Sequence, residues 1–126
     1  MEVRSKIWLE IDGEPVFGSG RRALLDGIIR HGSINRAAKD INISYRKALS
    51  YIKTMEQRFG KRLVERRAGG KSGGGAILTA EAKELLRKYK ILEDGINLIL
   101  DKKFLAVFGL KMIAQKKSLS KSRQNK

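Results

Sequence analysis

The chain has 126 residues, 41% of them hydrophobic, and its 28 Lys and Arg against 13 Asp and Glu give a net charge of +15. That length suits one domain with a core of its own, no apolar run approaches the roughly 20 residues of a membrane span, and the start Met1-Glu2-Val3-Arg4 lacks a signal-peptide pattern, so a cytoplasmic protein is expected. The lack of cysteine excludes disulfides and thiolate chemistry, the single His31 leaves no histidine cluster for a metal, and the charge points to a polyanion, most commonly nucleic acid.

Val3, Ile7, Leu9 and Ile11 alternate with Arg4, Lys6 and Glu10, which predicts an amphipathic strand ending at the turn-prone Asp12-Gly13. Trp8 falls on the polar side of that strand, either covering an edge or anchoring a surface. After Pro15 and Gly18, the spacing of Leu24, Leu25, Ile28 and Ile29 predicts a helix over 19–31, closed by Gly32, with His31 placed to favour the helix dipole. Ser33 is an N-cap candidate for a short second helix with Ala37, Ala38 and Ile41 on its apolar face, ending near Asp40. Only Ile41-Asn42-Ile43 separates it from Ser44, a second N-cap, which opens a longer helix carrying Ala48, Ile52, Met55 and Phe59 and ended by Gly60. Two capped helices joined by so tight a turn, the first short and alanine-rich, form a helix-turn-helix.

Beyond it, 63–67 and 76–78 read as the strands of a β-hairpin wing around a glycine-rich loop over 68–75. Thr79 and Glu81 suit the start of a long helix, about 79–108. Along it Ala82, Leu85, Tyr89, Leu92, Ile96 and Ile99 alternate spacings of three and four, the rhythm of a coiled-coil seam. They are expected to form a homodimer interface; the alternative is a helix packed on its own domain, and Leu86, Leu98 and Leu100 are assigned to the domain core. From Lys111 onward Lys116, Lys117, Lys121, Arg123 and Lys126 follow with no acidic residue between them. Segment 111–126 is thus expected as a disordered basic tail or a DNA-clinging arm, after a domain over 1–110. The expected fold class is mostly α with a small β-hairpin wing: a winged helix-turn-helix with a long C-terminal dimerisation helix.

The helix opened by Ser44 carries Tyr45, Arg46, Lys47, Ser50, Tyr51 and Lys53 off its apolar stripe, the donors, cations and aromatics that a recognition helix needs in the major groove. An ordinary solvated helix face reads the same way by itself. The preceding cap adds context, because Ser33 and Asn35 stand where helix ends commonly meet backbone phosphates. In the wing, Arg66, Arg67, Lys71 and Ser72 offer further contacts to a DNA backbone, or belong to a merely mobile loop. Gly70-Lys71-Ser72 is no P-loop: that pattern needs glycine where Glu65 stands, and a helix where 76–78 reads as strand. No catalytic constellation, cofactor site, metal site or small-molecule effector site is legible, so an enzyme is not expected.

Ile43-Ser44-Tyr45, Ala48, Ile52 and Met55, then Leu63-Val64-Glu65-Arg66 with Gly69-Gly70-Lys71, the run Gly73-Gly74-Gly75-Ala76 and Leu78-Thr79 resemble the N-terminal DNA-binding domain of the ModE family of molybdate-responsive transcription regulators. The likeness covers roughly residues 20–100. Ile52, Met55-Glu56, Phe59-Gly60 and Leu63 are also similar to the broader LysR-type helix-turn-helix. The resemblance implies a protein that binds operator DNA as a dimer, with a recognition helix over 44–59, a wing over 66–76 and a dimerising helix after Thr79. Fuller members of the family continue into β-rich molybdate-binding domains, whereas here the basic segment follows, and no effector-site residue is carried over. The leading expectation is a sequence-specific homodimeric regulator of double-stranded DNA, linked to molybdate or metal-oxyanion homeostasis. The alternatives are an architectural DNA-coating protein and a DNA-binding subunit controlled by a separate sensor.

Overall fold

The computed structural model describes residues 1–67 and 75–114. The expected wing tip with Lys71 and Ser72, and the basic segment over 115–126, lie outside the described residues. Contacts divide the chain into two units: Ile7–Tyr89, and a second made of Met1–Lys6 with the chain from Lys90 onward.

In the first unit, Asp12 and Gly13 take φ of 52° and 80° and fold β1 (Leu9–Ile11) back on β2 (Glu14–Phe17) as an antiparallel hairpin. Positive φ at both turn positions is what a two-residue hairpin demands, and Asp-Gly supplies it at little cost. The expected strand from Val3 shrinks to three residues, because its partner β2 has only four and the register shifts between Leu9 and Glu10. β2 itself was not expected. Pro15 marks it as loop in sequence, yet a two-stranded hairpin leaves each strand an open edge on which a proline is harmless. Trp8 is exposed and its indole N–H donates to Glu10 at 2.7 Å.

α1 (Ser19–His31) ends in left-handed Gly32, whose N–H reaches Ile28. α2 (Ile34–Asp40) and α3 (Tyr45–Phe59) are capped as read: the Ser33 hydroxyl accepts from the Arg36 N–H at 3.2 Å, and the Ser44 hydroxyl from the Lys47 N–H at 3.0 Å. Each cap satisfies a donor that a helix end would otherwise leave bare. Between them the N–H groups of Ile41 and Ile43 share the Ala38 carbonyl, which makes the turn tight. α1 and α2 pack closely at Gly27, where a Cβ would stand 2.8 Å from that of Ala37.

β3 (Val64–Arg67) pairs antiparallel with β4 (Gly75–Leu78) to form the wing. Hydrogen bonds tie the wing to the helices. The Glu56 carboxylate of α3 accepts from the backbone N–H groups of Leu63 at 2.8 Å and Val64 at 3.2 Å, and the Ala76 N–H donates to Gly32 at 2.9 Å. Thr79 then turns the chain into α4 (Ala80–Phe108): its hydroxyl donates to Arg62 at 2.8 Å and accepts from the Ala82 N–H at 3.2 Å.

Val16, Phe17, Leu24, Leu25, Ile28, Ala37, Ala48, Met55, Leu63 and Ala82 make one buried core, with Tyr89 edge-on to Phe17 at a 5.0 Å centroid distance. The Tyr89 hydroxyl donates to Ile7 at 2.6 Å, which satisfies the polar tip of a buried ring. In the second unit, the later part of α4 carries an N-terminal segment whose Ser5 hydroxyl donates to Asn97 at 2.7 Å, and Phe104 packs against Phe108.

Ala82 and Tyr89 are fully enclosed and Leu85 packs against the same core, so these three expected dimer residues are spent on their own domain. Leu92, Ile96 and Ile99 are exposed. Leu98, assigned in sequence to the core, is 59% exposed and lies in a second apolar row with Ile91 and Leu105. The 3-4 rhythm is common to a domain core and a coiled-coil seam, which is why the sequence ran the two together.

Candidate nucleic-acid interface

α3 is built with two chemistries. Ala48, Ile52 and Met55 are buried, and at 100° per residue the centre of the opposite face falls on Arg46, Ser50 and Lys53, all exposed. Lys47 lies on one flank, its ammonium 5.8 Å from the ring of Tyr51. Tyr45 lies on the other, toward the wing, and its hydroxyl accepts from the Arg66 guanidinium at 2.7 Å. The expected residues Tyr45, Arg46, Lys47, Ser50 and Lys53 therefore share one exposed helix surface, and Arg66 joins it from β3. Arg67, also exposed, follows on the same strand. Ser44 and Ser33 hold their helices through their hydroxyl oxygens, and Asn35 is exposed in the first turn of α2.

One residue here was not anticipated. Arg21 of α1 lays its guanidinium over the Tyr51 ring, 4.5 Å from the centroid, a cation–π contact that adds a third positive side chain beside α3. Residues 21 and 51 are distant in the chain and meet only through the tertiary fold, so no local pattern announces the pair.

At the end of α2, Asp40 accepts from Arg30 at 3.2 Å and contacts His31 Nε2 at 2.6 Å. The hydrogen bond from His31, then that from Arg30, holds the exposed Asp40 carboxyl below its ordinary value. The cluster fastens the last turn of α1 to that of α2, and His31 gains a specific partner in addition to its place at a helix C-terminus. Among the described residues no cluster of three or more His, Cys, Asp or Glu could hold a metal, and no helix is long and apolar enough to cross a membrane. A cationic, hydroxyl-bearing helix beside a basic two-stranded wing has the donors and charge that suit a duplex groove and its flanking phosphates.

Comparison with known proteins gives this surface a context. Residues 23–83 match the family model for the bacterial regulatory helix-turn-helix protein, lysR family. The chain is 44% identical over 73 residues to the transcriptional regulator ModE of Haemophilus influenzae, a match covering 58% of this chain and 29% of that protein. It is also 44% identical over 80 residues to the DNA-binding transcriptional dual regulator ModE of Escherichia coli K12, covering 63% of this chain and 30% of that one. The matched part thus spans less than a third of either relative. A solved structure of a MepR mutant from S. aureus superposes with a TM-score of 0.61 over 86% of this chain and 79% of that one, at 13% identity, in agreement with a winged-helix fold. Residues 23–83 are thus similar to the LysR-type regulatory helix-turn-helix, and the matched stretch resembles the corresponding part of the ModE transcriptional regulators.

Proposed function

We propose that this protein is a transcription regulator that binds double-stranded DNA in a sequence-specific way, as a homodimer and in the cytoplasm. The observation that carries the reading is the exposed face of α3, where Arg46, Ser50 and Lys53 stand opposite the buried stripe with Tyr45 and Lys47 on the flanks. Arg46 offers a bidentate bond to guanine, Ser50 and Lys53 offer donors to bases or phosphates, and Arg66 and Arg67 attract the backbone beside the groove. The dimer rests on the exposed Leu92, Ile96 and Ile99 of α4, whose 3-4 spacing suits a second copy of the same helix, and on the resemblance to a family of dimeric operator binders. Two copies related by a two-fold axis would read a palindromic site. The similarity to ModE proteins, one of them the molybdenum transport protein ModE of Azotobacter vinelandii, supports a link to molybdate or metal-oxyanion homeostasis, and no residue of this chain is assigned to sensing.

Replacing Arg46 and Lys47 together by alanine tests the site. Both side chains are exposed, so the fold should keep its thermal midpoint while affinity for the preferred duplex falls by about tenfold or more. Unchanged affinity in the double variant would contradict the assignment. The net charge of +15 favours a second reading, an architectural protein that coats DNA. Such a protein would bind all sequences alike and lose affinity steeply with salt.

A further inference from the structure

We propose that Tyr45 and Arg66 form a single binding site for one DNA phosphodiester, shared between α3 and the wing; the proposal rests on the DNA-binding reading above. Tyr45 is the first residue of α3 and Arg66 lies in β3, and their side chains meet in a 2.7 Å hydrogen bond. In that bond the guanidinium donates and the phenol oxygen accepts, so the phenolic proton stays available to donate elsewhere. A donating cation polarises the hydroxyl it binds and makes it the better donor. The pair therefore presents a hydroxyl hydrogen beside further N–H groups of a guanidinium fork, all donors, backed by a full positive charge. A phosphodiester, with acceptor oxygens only and a full negative charge, is their match.

The placement supports a phosphate over a base edge. Tyr45 lies on the flank of α3 nearest the wing, while Arg46, Ser50 and Lys53 occupy the centre of the outward face. The backbone beneath Arg66 is also fixed. Its strand partner Ala76 is bonded to Gly32, and the neighbouring Leu63 and Val64 are held by Glu56. Two exposed side chains alone would be loosely placed; here the wing base is bound to both α1 and α3 before DNA arrives, so less ordering is left to the moment of binding.

The test uses the full chain and the duplex it prefers in a selection from random sequence. Affinities are measured by fluorescence anisotropy for wild type, Tyr45→Phe, Arg66→Ala and the double variant, with one phosphate at a time made uncharged as methylphosphonate. Each single variant should bind about tenfold more weakly, and the double variant within about twofold of the weaker single. One methylphosphonate position should weaken wild type by a similar factor and leave the double variant unaffected. If Tyr45→Phe binds as wild type does, or if the two losses multiply to about a hundredfold, the shared site is overturned and the DNA-binding reading stands. If wild type binds no selected duplex, both fall.

Discussion

Gly27 sits inside α1, where helix propensity alone favours alanine by about 1 kcal/mol. Here a Cβ would stand 2.8 Å from the Cβ of Ala37, which is fully buried and has no flexible end to move aside. Overpacking of this kind costs about 1–3 kcal/mol, so Gly27→Ala should lower the urea midpoint; a raised midpoint would mean that α1 and α2 are less closely packed than described. The sequence showed that α2 has small residues for close approach, in Ala37 and Ala38, but not which glycine lay against them. The caps at Ser33 and Ser44 were legible because their partners lie three residues along the chain. The stacking of Arg21 on Tyr51, the joining of Arg66 to Tyr45 and the ties from Asp40 to Arg30 and His31 were not, because each partner lies nine or more residues away and only packing brings it near.

Among the elements, α1, α2 and α3 emerged within a residue or so of their expected ends, because capping residues and terminal glycines bracket apolar stripes of one period. The N-terminal hairpin was half legible. Alternation extends from Val3 to Ile11, but a strand exists only where a partner runs beside it, and β2 is four residues long. α4 was legible as a helix and ambiguous as a surface. Burial separates Ala82 and Tyr89, which belong to the core, from Leu92, Ile96 and Ile99, which are 43%, 42% and 60% exposed. Fully covering such a side chain is worth about 1.5–3 kcal/mol, so three from each copy would supply a useful part of the proposed dimer's stability. A glutamate at the middle position would place like charges across the two-fold axis. Sedimentation should therefore find the wild type dimeric and Ile96→Glu monomeric, with the circular dichroism of a folded helical protein retained. A variant that stays dimeric would move the interface to the row of Ile91, Leu98 and Leu105.

Taken together, the charge of +15 and the exposed face of α3 make different statements about DNA. Charge gives attraction that ignores sequence and fades with salt, while side chains at the centre of a recognition helix give discrimination between bases. The charge was fully legible in the sequence. The face proposed to discriminate was legible as a set of residue types on one helix, and the structure adds which of them point outward and which reach the wing. A transcription regulator of the proposed kind requires that this surface read sequence. Its most direct test is selection of bound duplexes from a random pool, followed by titration of the winner against its scrambled counterpart at about 150 mM salt, where purely electrostatic binding is weakened. A palindromic winner preferred by about a thousandfold or more is expected. A pool that emerges without enrichment, with the chain binding winner and scramble alike, would contradict it.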